Sequence, residues 1–189
     1  MVVDRGHVLS LWQSAFIEPA RTLEVKNTAG LLIGFREKYY DPVEKATGIP
    51  WYVVGALDFR EESFDHFAYL GNGDLLSRPT IHVPRGRGPF SSWYAGAIDA
   101  LHYDGLDSLD PADHWNIVTA LIKTEKYNGM GYFKHGLPSP YVWGATNIQK
   151  AGKYTSDGHW SPETWDKQLG CAAIWLGLKQ FYNVDLSEA

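Results

Sequence analysis

Ile49-Pro50-Trp51-Tyr52-Val53-Val54-Gly55-Ala56-Leu57-Asp58-Phe59-Arg60-Glu61-Glu62 is a mostly apolar run that opens near a proline and closes on two carboxylates. Proline is tolerated in the first turn of a helix, where its missing N–H is not needed, so the run predicts a largely buried helix. At helical spacing Val54, Leu57 and Asp58 share a face with Glu61, whereas Glu62 falls with Gly55, Asp58 and Phe59. Glu61 is therefore expected in the more apolar surroundings. Removing water from a carboxylate penalises its charged form and raises its pKa, which lets it stay protonated near neutral pH and serve as a general acid. The plain alternative is a pair of solvated glutamates closing a helix, the commoner fate of such residues.

Downstream, Gly71-Asn72-Gly73-Asp74 is a turn signal, and Thr80-Ile81-His82-Val83 predicts a short strand with β-branched residues at alternate positions. A turn and a strand after the helix fold Asp74 and Thr80 back toward Glu61. Hydrolysis of a sugar linkage needs an acid for the leaving oxygen and a carboxylate on the other face of the bond. Glu61 and Asp74 supply those two groups, and Thr80 supplies a hydroxyl to hold water. The competing reading makes Asp74 a turn cap and Thr80 an ordinary strand residue.

Taken with these, Pro50-Trp51-Tyr52-Val53-Val54-Gly55, Thr80-Ile81-His82-Val83-Pro84, Tyr127-Asn128-Gly129-Met130-Gly131-Tyr132, Ser139-Pro140-Tyr141-Val142-Trp143 and Gly152-Lys153-Tyr154 to Asp157-Gly158 resemble segments of the lysozyme-superfamily peptidoglycan hydrolases of phages and bacteria. The resemblance runs from about Ala29 to Phe181, and it lies in the order and spacing of the motifs rather than in any one of them. It implies an α+β, mainly α, lysozyme-like fold with a small β-hairpin next to the catalytic helix. The implied activity is endolysin-type muramidase cleavage of the MurNAc–GlcNAc linkage with inversion at the anomeric carbon, without metal or organic cofactor. Counting back from Asn72 sets the family's catalytic glutamate at Glu61, and the Asp74 to Thr80 interval resembles the Asp and Thr of phage-type lysozymes. The resemblance also implies that Tyr127 and Asn128 line a substrate cleft, where the plain alternative makes Asn128 or Gly129 a left-handed helix C-cap; Tyr141 and Asn147 are read either as a further wall of that cleft or as structural packing. Two departures stand out: no proline follows Asp74, and Glu61-Glu62 replaces an expected Glu-Ser, which keeps Glu62 as a rival acid.

Composition agrees with one catalytic domain over 1–189, with residues 1–18 outside the resemblance and assigned no job beyond packing on the core. A chain of 189 residues with 44% hydrophobic content buries one substantial core. Eight Trp and 11 Tyr provide faces on which sugar rings stack, although most belong to the core. The net charge of -5 argues against a general nucleic-acid binder, which needs a basic surface, and mildly against strong attraction to an anionic cell wall. Met1-Val2-Val3-Asp4-Arg5-Gly6-His7 has mixed charges and no apolar core, so it reads as neither a secretory signal nor a membrane span. The resemblance, rather than composition, implies the partner and place: the glycan strand of peptidoglycan, met by a monomer that waits in the host cytoplasm before release to the wall. Cys171, the single cysteine, sits in an apolar helical run and is expected buried.

Helices punctuated by Gly and Pro are expected along the rest of the chain. Leu31, Leu32, Phe35 and Tyr39 form one stripe, and Asp41-Pro42-Val43-Glu44 opens a helix ended by Gly48. Ser91 or Ser92 caps a helix carrying Ala97, Ile98 and Leu101, and Asp110-Pro111 opens another bearing Trp115, Val118, Leu121 and Ile122. Ser161-Pro162-Glu163 opens the last, with Trp165, Leu169, Ala173 and Leu176 inward. Three rival activities remain: a transglycosylase or chitinase-like enzyme on the same fold, a wall-binding module, and a zinc amidase with ligands among His82, His135, His159 and Cys171. The last lacks any HExxH-like close pair.

Overall fold

A computed structural model describes residues 4–109, 113–156 and 158–186. Helix accounts for 52% of the chain and the only sheet among the described residues has two strands, so the class is α+β and mainly α. The elements are α1 (Arg5–Ser14), α2 (Thr22–Phe35), α3 (Asp41–Thr47), α4 (Trp51–Glu62), α5 (Trp93–Tyr103), α6 (Ile117–Tyr127), α7 (Gly131–Lys134), α8 (Pro140–Trp143), β1 (Lys153–Ser156), β2 (His159–Ser161) and α9 (Cys171–Tyr182). No helix among the described residues is long and apolar enough to cross a membrane. The contacts gather into two compact units, Met1–Gly30 with Asn116–Ala189 and Leu31–Trp115, divided within α2.

The second unit is built round α4. Pro50 caps it, its carbonyl accepting from the N–H groups of Val53 and Val54. Trp51 through Asp58 are all buried, so this stretch has no solvent face. Gly55 is the point of closest approach: a Cβ there would lie 2.9 Å from both Leu32 Cδ2 and Tyr40 Cε2. Gly55→Leu is expected to lower stability by about 1 to 3 kcal/mol through overpacking, read as a shift in the urea midpoint. Left-handed Ser63 (φ 54) and Phe64 (φ 68) end the helix. Upstream, α2 continues through one π turn, Arg36–Tyr40, directly into α3. Asp41 is therefore the first residue of α3 rather than its cap, and its carboxylate accepts from Arg36 Nε at 2.9 Å. Leu31, expected on the inward stripe, is 49% exposed, while Leu32 is fully buried. Gly48 ends α3 in the left-handed region and Ser92 caps α5 by accepting from Ala95 N–H, both as the sequence implies.

The hairpin expected beside α4 is absent as strands. The segment from Phe64 to Ser91 is an irregular loop with a single antiparallel bridge, Ala68 to Leu75. The β-branched pattern at Thr80–Val83 finds no partner strand: the N–H groups of Ile81 and His82 go to the Asp74 side chain, and that of Thr80 to Arg87 O. The sheet lies far along the chain, where β1 and β2 pair antiparallel from Lys153–Ser161 to Ser156–His159 across an irregular register.

In the first unit, Asp4 caps α1 through the N–H groups of Gly6 and His7, and α1 packs on α6 with Trp12 buried and Arg5 donating to Thr119 Oγ1 at 3.0 Å. The Asp110-Pro111 start lies outside the described residues; α6 itself is capped by Asn116, whose Oδ1 accepts from Thr119 N–H. The last helix begins at Cys171, not near Ser161. Local capping signals lose there to tertiary hydrogen bonds: the carbonyls of Thr164, Asp166 and Lys167 accept from Gly152 N–H, Gln149 Nε2 and Arg21 Nη2. Trp165 is left 55% exposed and Leu176 half-buried, whereas Leu169, Ala173 and Cys171 are fully buried as expected.

Candidate functional site

The C-terminal end of α4 carries three acids, Asp58, Glu61 and Glu62. Asp58 is wholly buried and accepts from Tyr40 Oη at 2.6 Å, with His66 Nε2 3.0 Å from the same Oδ2. His66 is stacked on Tyr39 at 3.6 Å and meets Trp93 edge-on at 5.2 Å. Glu62, one turn beyond Asp58, is 8% exposed, and its Oε1 accepts from Trp93 Nε1 at 3.4 Å. Asp58 Oδ1 and Glu62 Oε2 are buried without a partner. Burial, then the negative charge of Asp58, pushes the Glu62 carboxyl up to about 10, so it is neutral at pH 7. The same burial and Asp58 together raise the Tyr40 hydroxyl well above its ordinary range.

Glu61, by contrast, is half-buried. The expectation that it, rather than Glu62, sits in the more apolar place is corrected here. A helical-face argument needs one wet face, and α4 is enclosed on all sides up to Asp58. What separates the two glutamates is the wall after the helix: His66 and Trp93 close over Glu62 and Asp58.

The Asn72-Gly73 turn comes back to the helix end at its backbone. The turn closes by N–H donation from Asn72 and Gly73 to Tyr69 O, and a Cβ at Gly73 would lie 3.8 Å from the Glu61 carbonyl oxygen. Asp74 Oδ2 accepts from the N–H groups of Ile81 (2.8 Å) and His82 (2.9 Å), and Oδ1 lies 2.8 Å from His82 Nδ1. The His82 N–H bond is the largest of the effects that hold its carboxyl below the usual range, so Asp74 is ionised at neutral pH. Thr80 donates its hydroxyl proton to Pro84 O and accepts from Arg87 N–H at 3.0 Å, which leaves one lone pair. Arg87 in turn clasps Asp99, which also accepts from Tyr69 Oη at 2.9 Å. Burial pushes the Asp99 carboxyl up, but these donors outweigh it and hold it low. Asp74→Ala releases three of the loop's anchors, and limited proteolysis between residues 75 and 90 is expected to quicken markedly relative to wild type.

The other candidate residues belong to the first unit. Asn128 closes α6 and donates from Nδ2 to Ser139 Oγ at 3.1 Å, and Gly129 follows at φ 82 as the left-handed residue. Tyr127 and Tyr141 have ring centroids 6.3 Å apart, with Tyr141 buried. Asn147 is tied to the chain's N-terminal part: Oδ1 accepts from Phe16 N–H at 2.7 Å and Nδ2 donates to Ser14 O. Its amide is thereby engaged in structure. Among the described residues no three His, Cys, Asp or Glu side chains are grouped to hold a metal ion.

Sequence patterns do not single out Tyr40, His66 or Trp93, and they place Asp58 only as a helix position, although Asp58 carries a signal. A lone aspartate inside a run of buried apolar residues must find donors, because an unpaired buried charge is costly. Comparison with known proteins finds no matching family model, no matching curated protein and no matching solved structure.

Proposed function

We propose that this chain is a glycoside hydrolase of lysozyme-like fold that cleaves the MurNAc–GlcNAc β-1,4 linkage of peptidoglycan, with Glu61 as proton donor and Asp74 as the second carboxylate. The observation that supports this reading is the approach of the Asn72-Gly73 turn to the Glu61 backbone carbonyl at the end of α4, with an ionised aspartate next along that turn. Glu61 is preferred to Glu62 because a general acid must come within hydrogen-bonding reach of the leaving oxygen. Glu62 is walled in by Trp93 and faces Asp58.

In the proposed step Glu61 gives its proton to the glycosidic oxygen as the C1–O bond breaks. Water attacks C1 from the opposite face and passes its proton to Asp74, so the anomeric configuration inverts. Asp74 Oδ1 becomes free for that water when His82, whose side chain is 71% exposed, turns away. Thr80 keeps the loop in shape and offers its remaining lone pair.

Mass spectrometry of peptidoglycan digests tests the reading. Reducing muramic ends are expected; 1,6-anhydro ends would make the enzyme a transglycosylase, freed peptides an amidase, and an undigested wall a binding module. Dialysis against EDTA is expected to leave turnover unchanged, and loss restored by zinc would overturn the muramidase assignment.

A further inference from the structure

Within the first unit an apolar groove of about 600 Å³ is lined by residues of α1, α6, α7 and α8 and of the loops that join them. Val8 and Leu11 of α1, Leu121 of α6, Met130 and Trp143 line it, and one acid, Glu125, stands among them. Glu125 and Tyr127 point roughly 200° apart round α6 at 3.6 residues per turn, so the groove is on a different face of the helix from the proposed sugar-binding Tyr127. Its volume falls in the range of small-molecule sites, which are typically apolar with a few polar groups that fix orientation. Burial alone pushes the Glu125 carboxyl up to about 7. A carboxylate in that setting has lost hydration and gained no cation, and a ligand that brings one restores what was lost. The remaining charged groups of the groove, His7 and Lys150, are both exposed, so solvent screens them.

We propose that this groove binds a small amphipathic amine, its aliphatic or aromatic body between α1 and α6 and its ammonium on Glu125. An acid is the head-group determinant because it is the desolvated charge. An exposed lysine contributes little to holding a carboxylate at the same place.

Calorimetric titration of the full chain at pH 8 with phenylbutylamine, phenylbutanol and phenylbutanoate tests this without reference to wall cleavage. The amine is expected to bind at least about tenfold more tightly than the alcohol, which corresponds to about 1.4 kcal/mol for the ion pair, and the butanoate most weakly. Amine affinity is expected to fall as the pH drops through about 7, as Glu125 takes up its proton. Glu125→Gln, which keeps the shape and removes an unbalanced charge, is expected to equalise amine and alcohol. Val8→Trp, a substitution at a half-buried position, is expected to fill the groove and weaken amine and alcohol together. The proposal is overturned by absence of saturable amine binding at millimolar concentration, by equal affinity for amine and alcohol in the wild type, by tighter binding of the butanoate, or by unchanged amine affinity in Glu125→Gln.

Discussion

Glu61→Gln is expected to abolish measurable wall cleavage while the far-UV circular dichroism stays that of the wild type. The amide keeps the side chain's shape and cannot protonate the leaving oxygen, and loss of a general acid typically lowers rates by roughly 10² to 10⁴. Glu62→Gln is the paired control. Because Glu62 is already neutral at pH 7 and is enclosed against Trp93, replacing its carboxyl by an amide changes little that a substrate meets, and turnover within a few-fold of wild type is expected. A dead Glu62→Gln beside an active Glu61→Gln would transfer the proton to Glu62 and require the cover of Trp93 and His66 to open during catalysis.

The same Glu62→Gln variant is expected to be more stable than the wild type, by an amount that grows with pH. Glu62 has a folded pKa near 10 against an ordinary value of 4.5. The unfolded chain releases that proton above about pH 4.5, whereas the folded chain holds it until about pH 10. Wild-type stability therefore falls as pH rises through this window. At about 1.4 kcal/mol per pH unit, the deficit reaches about 3 kcal/mol at pH 7. Glutamine has no proton to lose and no such deficit. For a chain of this size that difference corresponds to roughly 6 to 12 °C in melting temperature. Thermal melts at pH 4, 6 and 8 check it: the curves of the two proteins should coincide at pH 4 and separate progressively above it. A constant offset at all three values would mean that packing, not protonation, separates the variants, and a less stable Glu62→Gln at pH 8 would mean that the Glu62 carboxyl is hydrated in the folded state.

Most of the helices were legible in residues alone because their signals are local. Pro50 before an apolar run, Ser92 three residues ahead of Ala95, and Gly48 after Asp41–Thr47 each settle one helix end through backbone groups a few positions away. The mainly helical class follows from such ends and from the apolar content between them. The Asn72-Gly73 turn was legible too, since an Asn-Gly pair favours a tight turn wherever it stands. The start of the last helix was not. Ser161-Pro162-Glu163 is as good a local opening as the others, but the carbonyls of Thr164, Asp166 and Lys167 are claimed by donors up to 146 residues away, and no local pattern records that.

The equipment of the α4 end, two glutamates followed by an aspartate on a turn, was determined by the sequence itself. Only the tertiary structure decided how that equipment is sorted. Periodicity distinguishes faces of a helix by contrast between wet and dry, and α4 is dry all round to Asp58, so it held no information on which glutamate is enclosed. Trp93, 31 residues beyond Glu62, and His66 on the intervening loop decide it by covering Glu62 and Asp58 and leaving Glu61 at the edge. The strand at Thr80–Val83 was lost for the same kind of reason. A β-branched run becomes a strand only when another strand takes up its backbone groups, and here the Asp74 carboxylate takes up the N–H groups of Ile81 and His82 before any strand does.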